Sequence, residues 1–137
     1  MEQELTMYAS PLSRDPEAMY RQIDVVGRTT NADGPALVQL LYEELVRALR
    51  VAAWAAEHRQ FKAKSERVTR ATAILFALEA GLDFDKGGDL SVTLSRLYAG
   101  ARRQVVDASL GHDPQPFRDV ATSMEEIAQA WRTIRAG

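Results

Sequence analysis

The sequence has no cysteine, only two histidines and no long apolar run, and each of these features argues against one class of protein. Without cysteine, the chain can form neither a disulfide nor a thiolate metal site. No apolar stretch approaches the roughly 18 residues of a membrane-spanning helix. The N-terminus, MEQELTMYASPL, is acidic where a secretory signal peptide is basic. We therefore expect a protein that neither inserts into a membrane nor carries a cleaved signal.

The chain also has no excess of basic residues, because it contains 17 Lys and Arg and 19 Asp and Glu. A chain of this charge offers little to the phosphate backbone of a nucleic acid, so no nucleic-acid partner is expected. A length of 137 residues favours one domain with a single apolar core. We expect a flexible arm over residues 1–14 and one domain over residues 15–137.

Patterns typical of catalysis or metal binding are scarce. His58 and His112 fall near predicted helix ends, and neither has a glutamate at the spacing of a di-iron bundle. No serine stands in a strand-turn-helix context. Gly87 and Gly88 lack the preceding strand and the Gly-Lys-Ser/Thr ending of a phosphate loop. The sequence therefore predicts no metal, no cofactor and no catalytic residue.

Apolar residues recur at helical spacing in four long segments, while strand-like alternation is nearly absent. The segments are separated by a break near residues 58–61, a corner at Gly87-Gly88 and a turn after Gly111, which is predicted to cap the helix before it. A shorter helix is predicted to begin at Asp15-Pro16-Glu17 and to end at Gly27. We expect an all-α fold: an antiparallel up-down bundle of about four long helices plus a short N-terminal helix.

The corner lies within GLDFDKGGDLSVTLSRLY, residues 81–98. Gly87 and Gly88 tolerate the positive φ of a tight bend, and Asp89 can accept hydrogen bonds from the free N–H groups of the next helix. Asp83 and Lys86 suit local capping and ion pairing, with recognition of a partner as the alternative.

The helix that begins after Asp33-Gly34-Pro35 carries more apolar surface than one neighbouring helix can cover. Beyond its main seam it holds Val38, Leu40, Val46, Leu49, Val51, Ala53 and Trp54. Either this helix is central in the bundle, or the surplus forms a groove for an amphipathic segment of another protein.

Three stretches resemble one protein family. LDFDKGGDL followed by LxxLY is similar to the corner motif of the FliS family of flagellar export chaperones, and LVQLLYEELVRAL resembles the second-helix signature of that family. Tyr20 matches its N-terminal tyrosine. One departure is that GRTTNADGP stands where the family usually has a short Thr-Ala-Ser-Pro-like link.

The resemblance implies a chaperone of the bacterial cytosol that binds the C-terminal segment of flagellin, prevents its polymerisation and delivers it to the flagellar type III secretion apparatus. The export gate is a further expected partner. Resemblance and apolar surplus together predict these partner-binding residues: Tyr20, Ile23, Leu40, Leu41, Tyr42, Val46, Trp54, Asp83, Lys86, Leu97 and Tyr98. The structural turn is assigned to Gly87, Gly88 and Asp89.

Two other functions stay open from the residues alone. One is a small helical mutase of the chorismate type, which needs several cations and a Glu or Gln converging on a pocket inside the bundle. The apolar seams here place cations beside the core instead. The other is a self-associating regulatory bundle, with the wide helix as the interface of a homodimer.

Overall fold

The computed structural model of the chain describes residues 34–136, except for the side chains of residues 35 and 134–136. Within that range the secondary structure is helical, with no strand. The helices are α1 (Gly34–Glu57), α2 (Phe61–Ala80), α3 (Phe84–Ser109) and α4 (Gln115–Ala136). The prediction of an all-α fold is confirmed. The predicted arm and short N-terminal helix, with Tyr20 and Ile23, lie outside the described residues.

The break between α1 and α2 falls at residues 58–60, where the change in apolar phase predicts it. Arg59 has a φ of 55°, which is uncommon for a residue other than glycine. Its N–H donates to the carbonyl of Ala56 at 3.4 Å, and the N–H of Gln60 donates to that of Ala55 at 2.8 Å. These bonds form a Schellman motif with arginine in the position that glycine usually takes.

α1 is the central helix of the described bundle. It packs against both α2 and α4, while α2 packs against α3, and α3 meets α4 over a smaller area. The core contains fully buried Leu45 and Leu49 of α1, Leu75 of α2 and Phe117 of α4. A central position therefore accounts for most of the apolar surplus of α1.

Polar contacts also join neighbouring helices. Glu44 of α1 accepts from Arg70 of α2 at 2.7 Å, and Glu57 of α1 accepts from Arg118 of α4 at 3.1 Å. These pairs are partly exposed, so each contributes at most about 1 kcal/mol to stability. None of the helices in this range has the length and apolarity needed to span a membrane.

The end of α3 differs from its prediction. Leu110 is the C-cap, with a φ of -82°, and Gly111 follows it without adopting a positive φ. The carbonyl of Gly111 accepts a hydrogen bond from Nζ of the buried Lys64 at 2.8 Å. A cation at a helix C-terminus is favoured by the helix dipole, so Lys64 replaces the expected glycine cap and ties α2 to this turn.

Candidate partner-binding surfaces

The corner between α2 and α3 is capped by Asp83. Its Oδ1 accepts from the backbone N–H of Lys86 at 3.0 Å. α3 therefore begins at Phe84, before the two glycines, with Asp83 and not Asp89 as its N-cap. The helix then kinks at Gly88, where φ is 53° and ψ is -126°, a combination that essentially only glycine adopts.

Gly87 is required at the corner for a different reason. A Cβ at this position would lie 1.9 Å from Oγ of Ser91. That buried hydroxyl donates to the carbonyl of Asp83 at 2.9 Å, and the N–H of Gly87 donates to the same carbonyl at 2.8 Å. Both glycines are thus part of the turn whose N-cap is Asp83, while the side chain of Lys86 is exposed to solvent.

Tyr42 of α1 and Tyr98 of α3 meet in the core. Their hydroxyl groups form a hydrogen bond with each other, and their ring centroids lie 6.4 Å apart. Burial in the apolar core raises the pKa of both phenols above the ordinary value. In this arrangement the pair joins two helices, so direct contact with a partner would require the tyrosines to leave the core.

Only part of the predicted α1 site lies at the surface. Val46 is buried and Leu41 packs partly against the core, whereas Leu40 is 43% exposed and Trp54 is 51% exposed. The Trp54 ring stacks on His58, with centroids 4.5 Å apart. Leu40 and Trp54 are fourteen residues apart and so share one helix face, about 21 Å from end to end.

Leu97 lies in a shallow depression between α3 and α4, here called the α3–α4 groove. Its volume is about 360 Å³. Buried Val120 and Met124 contribute apolar surface, and exposed Arg96 and Asp119 stand at its edges. The full lining is Arg96, Leu97, Gly100, Ala101, Gln104, Asp119, Val120, Ser123 and Met124.

Sequence reasoning identified Leu97 through resemblance but missed the groove around it. A usable signal was present: Gly100 and Ala101 put two small residues where the α3 seam would otherwise carry larger ones. Another depression, of about 270 Å³, lies beside Thr72 of α2 and Val106 of α3. No cluster of His, Cys, Asp or Glu suited to a metal ion occurs within residues 34–136.

Comparison with known proteins gives a consistent family match. The family model described as "Flagellar protein FliS" matches residues 16–137, which include all four helices. The flagellar secretion chaperone FliS of Salmonella typhimurium is 33% identical over 116 residues, or 84% of this chain and 86% of that protein. FliSB of Pseudomonas aeruginosa is 28% identical over 84% of this chain and 91% of its own length. FliS of Escherichia coli is 27% identical over 82% and 84%.

Proposed function

This chain belongs to the FliS family and is a flagellar secretion chaperone, not an enzyme, and we propose that the protein it binds is flagellin. It holds the C-terminal segment of flagellin in the bacterial cytoplasm, prevents premature polymerisation and presents the segment to the flagellar type III secretion apparatus. The observation that carries this proposal is the family match across the corner, the tyrosine pair and all four helices.

The surface supports a binding mode in which a disordered segment folds onto the bundle. Apolar side chains are available at Leu40 and Trp54 on α1 and at Leu97 in the α3–α4 groove. A disordered amphipathic segment loses conformational entropy when it becomes ordered on such a surface. That loss offsets part of the contact energy, so a long contact remains releasable at the export apparatus.

We further propose that α1 to α4 form an antiparallel up-down bundle. Short connections favour antiparallel neighbours. Lys64 near the start of α2 bonds to Gly111 just beyond α3, and Arg118 near the start of α4 pairs with Glu57 at the end of α1. A short helix near residues 15–27, carrying Tyr20 and Ile23, and a flexible arm over residues 1–14 stay predictions.

The partner-binding assignment is proposed for Leu40, Trp54 and Lys86, which are exposed, and for Leu41 and Leu97, which are partly exposed. Tyr42, Val46, Tyr98 and Asp83 are proposed to support that surface from the core and the corner. The export gate is a proposed further partner. A homodimer is the alternative use of the exposed α1 face, and light scattering of the isolated protein separates the two.

Titration calorimetry tests the proposed function directly. The C-terminal segment of the cognate flagellin, added to the full chain, should bind with a negative heat-capacity change and gain helix by circular dichroism. An N-terminal flagellin segment of equal length serves as the control. Salt should weaken binding only modestly because the proposed contact is mainly apolar. Neither heat nor helix gain, with the bundle folded, would rule out flagellin as the partner.

A further inference from the structure

α2 and α3 share a surface that carries exposed apolar side chains. Val106 of α3 is 48% exposed and, together with Thr72 of α2, borders the depression of about 270 Å³. Phe76 of α2 is 41% exposed, and its ring centroid lies 5.6 Å from the guanidinium carbon of Arg102, which borders the same depression. We call this surface the α2–α3 face. It comprises Thr72, Phe76, Arg102, Arg103, Val106 and Asp107.

Two of the charged groups on the α2–α3 face have no ion pair in the part of the chain that the structure describes. Arg102 pairs with Glu79 of α2. Arg103 and Asp107 are exposed and pair with no charged group there. Their spacing of four residues permits a pair within one helix. However, Nη2 of Arg103 lies 3.8 Å from where a Cβ on Gly100 would be, so this guanidinium points toward the start of α3 and away from Asp107.

The order of these two charges makes the α2–α3 face complementary to a second copy of itself. Arg103 and Asp107 stand two residues before and two residues after Val105. When two copies of α3 run antiparallel and cross at the level of Val105, Arg103 of each copy faces Asp107 of the other. A two-fold axis therefore forms the same ion pair twice, which is the arrangement of an isologous dimer. The exposed side chain of Val106 lies next to the crossing point and meets the depression of the other copy.

We infer that the α2–α3 face is an interface between two copies of this chain, related by a two-fold axis at the level of Val105. Apolar contact across the face provides the attraction, and the two pairs of Arg103 with Asp107 set the antiparallel register. The contact covers only a few turns of helix. It therefore belongs to the class of small, reversible interfaces, with a dissociation constant in the micromolar to millimolar range.

This dimer differs from one that forms through the exposed face of α1. Leu40 and Trp54 lie on α1, and Leu97 lies in the α3–α4 groove, so none of them belongs to the α2–α3 face. Two copies joined through the α2–α3 face therefore keep these three side chains for flagellin. Self-association of this kind goes beyond the proposed function and does not depend on it.

Complementary charge reversal tests the interface. Arg103→Asp puts two pairs of like charges across the axis, and so does Asp107→Arg, so each variant alone should dimerise at least about tenfold more weakly than the wild type. In an equal mixture of the two variants, every introduced side chain faces a group of opposite charge in a heterodimer. The mixture should therefore recover the wild-type affinity to within about threefold. Sedimentation equilibrium over a concentration series measures all three samples.

Arg50→Asp is the matched control, because it makes the same change of charge at an exposed position of α1. Dimerisation of this variant should stay within about twofold of the wild type. A wild type that is monomeric at millimolar concentration overturns the inference, and so does a mixture that associates as weakly as its components. Loss of the dimer with Arg50→Asp but not with Arg103→Asp would assign self-association to α1 and would also overturn it.

Salt gives a second measurement that needs no variant. The charges on this face are exposed, so a dimer set by their pairs should weaken several-fold as salt rises from about 0.05 M to about 0.5 M. A dimer held by apolar contact alone would not weaken. Wild-type association that is unchanged or stronger at high salt therefore contradicts the proposed register. Circular dichroism and thermal unfolding confirm that the protein and its variants stay folded under each condition.

Flagellin is the other candidate occupant of the α2–α3 face, so its C-terminal segment is titrated into the same samples. Wild type and Arg103→Asp should bind the segment with affinities within about twofold of each other, and the wild-type complexes should still dimerise. If the segment dissociates the wild-type dimer and binds Arg103→Asp more weakly, the face belongs to flagellin and the inference is overturned. Failure of the wild type to bind the segment removes the proposed function, while sedimentation still decides the dimer.

Discussion

Tyr98 and Leu97 are consecutive residues of α3, yet they lie on sides of the helix that are packed very differently. Tyr98 is 2% exposed and bonds to Tyr42 of α1, so its side of α3 is built into the core. Leu97 lines the α3–α4 groove, where the neighbouring helix leaves space. One helix therefore has a side that is built into the core and a side that is left partly open.

The contrast extends to the whole described bundle. Most of the large, fully buried side chains belong to α1, α2 and α4, among them Leu45, Leu49 and Phe117. Close packing of this kind provides most of the stability of a small domain. The α3–α4 seam is partly open, although Val120 and Met124, which line it, also belong to the buried core. The contact between α3 and α4 is thus the least extensive of those between neighbouring helices in the described bundle.

Replacing a leucine by alanine in the core and in the α3–α4 groove should give the largest difference in the free energy of unfolding. Leu45→Ala removes a fully buried side chain of the core and should lower the free energy of unfolding by about 2 to 5 kcal/mol. Leu97→Ala removes a partly buried side chain next to existing space and should cost less than half as much. Urea denaturation of both variants measures the difference. Equal costs would show that the groove is packed as tightly as the core.

Helical periodicity allowed much of this to be predicted from sequence. The apolar residues from Leu37 to Ala56 and from Phe117 to Trp131 repeat at helical spacing, and the structure has helices there. The start of α3 was missed because Asp83 and Asp89 both suit an N-cap, and local chemistry alone does not choose between them. Arg59 gave no signal because its positive φ follows from the helices on either side, not from its own preference.

The candidate site was harder to predict than the fold. Whether Tyr42 and Trp54 face the core or the solvent depends on which helices pack around α1, and periodicity within α1 does not contain that information. The α3–α4 groove depends on the spacing between two helices, which is set by side chains on both. Resemblance identified Leu97 and Tyr98 together, and only the packing separates their roles.

Substitutions at three glycines should change the free energy of unfolding by intermediate amounts. Gly88→Val forces a branched side chain into positive φ, and Gly87→Val places its Cβ against Oγ of Ser91. Each should lower the free energy of unfolding by about 1 to 3 kcal/mol. Gly100→Ala, in the open groove, should instead raise it by up to about 1 kcal/mol because alanine favours helix. Thermal unfolding measures all three, and a stabilising Gly88→Val would contradict the strained corner.

The tyrosine pair should show a smaller effect at neutral pH. Tyr98→Phe leaves the buried hydroxyl of Tyr42 without this hydrogen-bond partner, which should cost about 1 kcal/mol. Tyr42→Phe should behave similarly, and the double variant should cost less than the sum of the two. Additive costs in this double-mutant cycle would mean that the hydrogen bond contributes little.

Alkaline pH provides an independent check on the same pair. Both pKa values are raised in the folded protein, so the fold favours the neutral phenols. Their contribution to stability is fully present below the unfolded pKa of about 10 and is lost as pH rises above it. Wild-type stability should therefore fall more steeply above that pH than stability of the Tyr42→Phe/Tyr98→Phe variant. Parallel curves would contradict burial of the pair.

The smallest effect on stability is expected on the exposed face of α1. Trp54→Ser removes a half-exposed ring and should change the free energy of unfolding by no more than about 0.5 kcal/mol. If flagellin covers this ring, its loss should still weaken binding several-fold, because aromatic side chains buried at an interface carry much of its affinity. Leu110→Ser is the matched control, since Leu110 is 85% exposed at the end of α3 and is not among the residues proposed to bind flagellin. Calorimetric titration measures the affinity of both variants for flagellin. If the two affinities are equal, the binding site does not include this face of α1.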